Sequence, residues 1–111
     1  LIGRRNLTET GNYDLGLDDL SVEEQTLQYE IDYWQNPKRC ALWRVDPDAL
    51  TVSFELDLPS FGDTCFASEV MLDDNTRLIY NYTSPLDGED VNWMTGQLGE
   101  THIVRQELVF P

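Results

Sequence analysis

A chain of 111 residues with 21 acidic and 7 basic side chains carries a formal net charge of −14. Such a field repels phosphate backbones and anionic lipid, which weighs against nucleic acid and membrane surfaces as partners. Apolar residues make up 41% of the chain, with three Trp, five Tyr and four Phe, enough for one domain with a modest core, and no window approaches the roughly 18 apolar residues of a membrane span.

The chain begins Leu1-Ile2-Gly3-Arg4-Arg5, without an initiator Met and in the manner of a strand already under way. Residues 1–8 are read as the strand end of a unit that starts elsewhere, in a fragment, a processed product or a trimmed stretch. A long polar insert follows over residues 9–39. Its one helical signal is Ser21 to Tyr33, where Ser21 and Glu24 have capping-box spacing ahead of Leu27 and Ile31, predicting a short helix or turn.

Residues 40–83 read as β throughout. Ala41 to Val45 and Thr51 to Leu58 are rich in β-branched, aromatic and aliphatic side chains, and Asp46-Pro47-Asp48-Ala49 between them is turn chemistry, so a hairpin is predicted. Along its second strand, period-two alternation sets Val52, Phe54, Leu56 and Leu58 on a buried face and Ser53, Glu55 and Asp57 on a wet one. A second hairpin is predicted from Cys65 to Leu72 and Arg77 to Thr83 around Asp73-Asp74-Asn75-Thr76. A second insert occupies residues 84–101, and a last strand runs over 102–110. Cys40 and Cys65 form either one disulfide or two free thiols.

The hairpin turns are short, whereas the connections 8–39, 59–64 and 84–101 are long. In an up-and-down meander such connections alternate between ends, so the long loops are expected to gather on one face. The chain also repeats itself: Leu1 to Thr8 can be laid on Leu78 to Thr83. Each strand is followed by an acidic insert carrying a Trp, Trp34 or Trp93, and then by a strand with an Arg near its start, Arg44 or Arg105. Strand, insert, strand, twice over, predicts an all-β fold of antiparallel four-stranded blades of a β-propeller, here about two blades and therefore partial. The rest of the ring would come from further blades or partner chains.

Four stretches carry a resemblance: Arg4-Arg5-Asn6-Leu7-Thr8 with Gly11-Asn12-Tyr13-Asp14-Leu15-Gly16; Lys38-Arg39-Cys40-Ala41-Leu42-Trp43; Leu58-Pro59-Ser60-Phe61-Gly62-Asp63-Thr64-Cys65-Phe66; and Tyr80-Asn81-Tyr82-Thr83-Ser84-Pro85-Leu86-Asp87-Gly88. Together they resemble the C-terminal part of bacterial sialidase-like (BNR-type) β-propeller proteins. The resemblance implies a propeller and a glycan site at its funnel. It also implies an Arg cluster for a carboxylate, a Tyr nucleophile assisted by Glu, and an acidic acid/base. The Ser-x-Asp-x-Gly-x-Thr-Trp box of such repeats is absent, and no motif assigns these roles one by one.

The funnel side of such a fold gathers Asp63, Arg4, Arg5, Asn81, Tyr82, Ser84 and Trp93. Asp63 is the candidate acid/base, its bland reading being a turn cap after Gly62. Asn81, Tyr82 and Ser84 are candidates for hydrogen-bonding a sugar, with Tyr82 also stacking on it; otherwise they satisfy loop backbone and pack between blades. Successive side chains alternate along a strand, so only one of Arg4 and Arg5 can face the funnel as a carboxylate clamp. Trp93 and Trp34 are either sugar platforms or loop anchors. His102 lacks the partners of a metal or triad site, and no cofactor or metal is expected. Asn6-Leu7-Thr8 and Asn81-Tyr82-Thr83 match a glycosylation sequon at strand ends.

The expected function is carbohydrate-directed: glycan binding, or glycoside hydrolysis once the ring is complete. The competing expectations are a noncatalytic scaffold whose acidic loops dock a partner protein and, third, a small independent all-β domain completed by oligomerisation.

Overall fold

The computed structural model describes residues 1–8 and 14–111. The start of the first predicted insert, with Gly11, Asn12 and Tyr13 of the resemblance, lies outside the described residues. Among these residues the fold is mostly β, with two antiparallel sheets of three strands each and no closed barrel. The first sheet holds β1 (Ile2–Asn6), β2 (Lys38–Asp46) and β3 (Thr51–Leu58); the second holds β4 (Ser68–Met71), β5 (Thr76–Thr83) and β6 (His102–Val109). Strands alternate up and down in both sheets. The tight turns 47–50 and 72–75 therefore share one end, and the connections 7–37, 59–67 and 84–101 share the other. Each sheet is one strand short of the four expected of a blade.

The repeat takes a defined form. β1 and β5 each run into a helical insert and then pair antiparallel with the strand that follows it, Asn6 opposite Lys38 and Thr83 opposite His102. The first insert contains α1 (Val22–Gln35), which starts on the predicted capping box: Ser21 Oγ accepts from the Glu24 amide, and the Glu24 carboxylate accepts from the Ser21 amide. The second contains a shorter helix, α2 (Trp93–Leu98), not predicted, capped by Asn92 through the Thr95 amide. The two inserts touch where the Tyr33 and Trp93 rings lie 5.3 Å apart and the Trp93 amide donates to the Asn36 carbonyl. Among the described residues no helix is long and apolar enough to cross a membrane.

Two predicted features of the strands are corrected. The register between β2 and β3 shifts at Leu42/Trp43, so that Leu42 faces Leu56 but Trp43 faces Phe54. Glu55 is the extra residue of a bulge, and the alternation reverses across it. Val52 and Phe54 thus lie on the face opposite Leu56 and Leu58, and only Leu58 is buried. In the second hairpin, the strand expected from Cys65 begins only at Ser68, because residues 62–65 are buried loop.

The sheets meet over a small core of Cys40, Leu58, Cys65 and Ile79, flanked by Ile2, Ala67 and Leu108. Cys40 and Cys65 are joined as a disulfide, which resolves the alternative left by the sequence and ties β2 to the connection between the sheets. With so few apolar residues buried, the molecule spreads into a slab of 49 × 41 × 20 Å. Its accessible surface is 7475 Å², against roughly 6,300 Å² expected of a folded monomer of this mass.

Candidate functional site

Where the connections gather, buried polar groups take the place of a core: Asn6, Lys38, Ser60, Asp63, Thr64, Asn81, Thr83 and Ser84 are all buried. Buried polar groups are tolerated only when hydrogen-bonded, and these are bonded mostly to one another's loops. Ser60 Oγ accepts from the Cys40 amide at 2.8 Å and donates to the Leu58 carbonyl at 2.7 Å. Thr83 Oγ1 accepts from the Phe61 amide at 2.7 Å. Thr64 Oγ1 accepts from Asn81 Nδ2 at 2.9 Å and donates to the Tyr82 carbonyl at 2.7 Å.

Two glycines let the loops close. Gly62 has φ +56°, and a Cβ there would lie 2.4 Å from Ser84 Oγ; a Cβ on Gly96 would lie 2.4 Å from the Asp63 amide nitrogen. A side chain at either position would collide with its neighbour. The end of β5 and α2 thus close on the loop that carries Asp63, and the Asp63 amide donates to Ser84 Oγ at 3.3 Å.

Asp63, Arg4 and Tyr82, three of the residues singled out from sequence, come together. Arg4 Nη2 donates to Tyr82 Oη at 2.6 Å and lies 3.4 Å from Asp63 Oδ1, and Tyr82 Oη donates to the same carboxylate oxygen at 3.3 Å. Arg4 Nη1 donates to Tyr33 Oη, and Gln97 Nε2 donates to Asp63 Oδ2. Burial works against the charge on Arg4, but the bond to Tyr33 and the neighbouring Tyr33, Tyr82 and Asp63 outweigh it and raise its pKa. Burial also raises the pKa of Tyr82, with Arg4 opposing the rise and Asp63 adding to it. Tyr82 is therefore a neutral hydroxyl at ordinary pH and not a phenolate.

The other sequence candidates lie elsewhere. Arg5 points from the opposite face of β1, as alternation requires. It binds Asp57 through Nε at 2.7 Å and lies over the Phe54 ring, a partly buried ion pair that the structure does not bring to Asp63. Asn81 is buried and bonded through Nδ2 to Thr64, Ser84 is buried and bonded to the Asp63 amide, and Trp93 packs on Tyr33; these three support the site from behind. Among the described residues no three His, Cys, Asp or Glu side chains are placed to hold a metal.

Two residues at this end had no role assigned from sequence. Lys38 is fully buried and donates to the carbonyls of Tyr33 and, at 2.9 Å, Asn36, with its ammonium 4.0 Å from the Tyr33 ring centroid. It thus caps the C-terminus of α1, which has no basic residue of its own in its last turn. Burial first, and Arg4 second, lower its pKa to about 8 against the pull of Asp32 and Asp63. Phe66 is 82% exposed, lies 6.3 Å from the Tyr82 ring at an interplanar angle of 22°, and has the Arg4 guanidinium 5.6 Å from its ring centroid. A hollow of about 360 Å³ lined by Ile2, Gly3, Arg4, Cys65, Phe66 and Ala67 opens beside it. Nothing in the sequence separates Phe66 from an ordinary strand residue; being the only Lys in the chain, next to Pro37, was the one signal at Lys38. Comparison of the chain with protein-family models, with curated proteins and with solved structures finds no match.

Proposed function

We propose that this end of the molecule binds a neutral glycan. The observation that carries the reading is Phe66: a large aromatic ring left in solvent at the rim of a hollow, beside a polar cluster of Arg4, Asp63 and Tyr82. A sugar ring offers an apolar C–H face and an edge of hydroxyls, and an aromatic plane beside fixed donors and acceptors answers both. Arg4 is already balanced by Asp63, and the chain bears a net charge of −14, so an uncharged sugar suits the site better than an acidic one.

Of the two carbohydrate-directed activities expected from the sequence, the geometry favours binding over hydrolysis. Glycoside hydrolysis uses an acid and a second group across the bond. Among the described residues Asp63 is the one carboxylate bonded in the cluster, and Tyr82 keeps its proton. The wider architecture is part of the same proposal. Two three-stranded meanders with their inserts at one end fit incomplete blades of a sialidase-like propeller, each one strand short of four.

A glycan array carrying neutral and sialylated sugars tests the binding reading, followed by calorimetry with the best neutral ligand. Phe66→Ala is expected to weaken that ligand by about tenfold and to leave the thermal midpoint unchanged, since the ring is exposed. Absence of binding above background, or binding indifferent to Phe66→Ala, would overturn the proposal and leave the scaffold reading.

A further inference from the structure

Among the described residues four strand edges have no partner in their sheets: β1, β3, β4 and β6. Such edges invite pairing with another chain unless something discourages it. β3 carries the Glu55 bulge and only acidic charges, Glu55 and Asp57; β1 carries only basic ones, Arg4 and Arg5; β4 is four residues long. β6 is eight residues long, pairs with β5 without a register shift, and carries both signs.

On β6 the exposed side chains are Ile103, Arg105, Glu107 and Val109, all on one face of the sheet. Arg4, Arg5, Arg39, Arg44 and Arg77 each lie against a carboxylate. Arg105 has no ion pair among the described residues. In a chain with three acids for every base, an arginine left without a carboxylate on an open edge is unusual.

We propose that β6 pairs antiparallel with β6 of a second copy, joining two three-stranded sheets into one of six strands. The register follows from symmetry. A two-fold axis perpendicular to the sheet keeps each side chain on its own face, so the pairing must centre on a residue and not between two. Centring on Arg105 or Glu107 sets like charges opposite each other, and centring on Val104 sets Ile103 opposite Arg105. Centring on Gln106 sets Arg105 opposite the second copy's Glu107, Glu107 opposite its Arg105, and Ile103 opposite its Val109. Every exposed residue of β6 then meets its complement. The proposal stands apart from the glycan reading, because β6 contributes nothing to the hollow at Phe66.

Sedimentation velocity on the 111-residue chain, from micromolar to millimolar concentration, should show a monomer–dimer equilibrium. Arg105→Glu and Glu107→Arg, each alone, place like charges opposite each other twice and should weaken the dimer by about tenfold or more. An equimolar mixture of the two variants restores both attractive pairs and should dimerise like the unaltered chain, which a folding defect would not allow. A monomer throughout, a dimer indifferent to either charge reversal, or a mixture that stays dissociated would each overturn the proposal. None of these outcomes depends on a sugar ligand.

Discussion

The two ends of the slab invert the usual relation between burial and polarity. At the insert end, Asn6, Lys38, Asp63, Asn81 and Thr83 are buried; at the turn end, Val52, Phe54, Val70, Met71 and Val109 are exposed. The contrast teaches where stability resides. Among the described residues the apolar core is four residues and their neighbours, too little to outweigh chain entropy by hydrophobic burial alone. The insert end adds a disulfide and a network of hydrogen bonds between three loops. The turn end adds short turns and surface that faces water or a partner.

The largest expected effect breaks that contrast at its covalent link. The cysteines are 25 residues apart in sequence, and releasing a loop of that length is expected to cost about 3.5 kcal/mol. That is a large part of a typical domain's 5–15 kcal/mol. Cys40→Ala with Cys65→Ala, compared with the unaltered chain by urea unfolding, should lower the midpoint by a corresponding amount. An unchanged midpoint would mean that the loops hold the sheets together without the bond.

A smaller effect, with a defined pH window, sharpens the insert end alone. The buried Lys38 has a folded pKa of about 8 against an ordinary value of 10.5. Between those values the unfolded chain binds more protons than the folded one, so stability rises with pH across the window. Below about pH 8 the full cost of burying the ammonium is present, and it is relieved as the pH climbs towards 10.5. Stability is expected to increase by about 2 kcal/mol between about pH 8 and about pH 10, and Lys38→Met should abolish the rise. A flat profile in the unaltered chain would place the charged form comfortably among the carbonyls of Tyr33 and Asn36.

The same contrast explains what the sequence could convey. The hairpin of β2 and β3, the capping box of α1, the opposed directions of Arg4 and Arg5 and the gathering of long loops at one end all follow from spacing within a few residues or from strand alternation. What escaped was decided by contacts distant in sequence. The bulge at Glu55 reverses the faces of β3 although its alternation reads as unbroken. The burial of residues 62–65 depends on Ser84 and Gly96, and it delays β4 by three residues from its predicted start. Of the candidate site, Arg4, Asp63 and Tyr82 were legible as strand-end and loop polar groups. Phe66 was not, because an exposed aromatic and a buried one look alike in a sequence. Arg5, Asn81, Ser84 and Trp93 meet the same polar and aromatic criteria, and only packing separates the groups behind the site from those at its mouth.

The smallest expected effect contrasts one backbone conformation at the two ends. Gly62 at the insert end and Leu50 at the turn end both have positive φ, +56° and +53°. At Gly62 any Cβ collides with Ser84, so glycine is required by neighbours as well as by backbone. At Leu50 the side chain is 89% exposed, and only the left-handed conformation itself opposes it. That conformation costs a non-glycine residue about 1–2 kcal/mol, while glycine returns about 0.4–1 kcal/mol of that gain as unfolded-chain entropy. Leu50→Gly is therefore expected to raise stability by about 0.5 kcal/mol, seen as a small upward shift of the urea midpoint. A loss of stability instead would show that Leu50 packs on something at the turn end, and that this end is less open than its exposed apolar residues indicate.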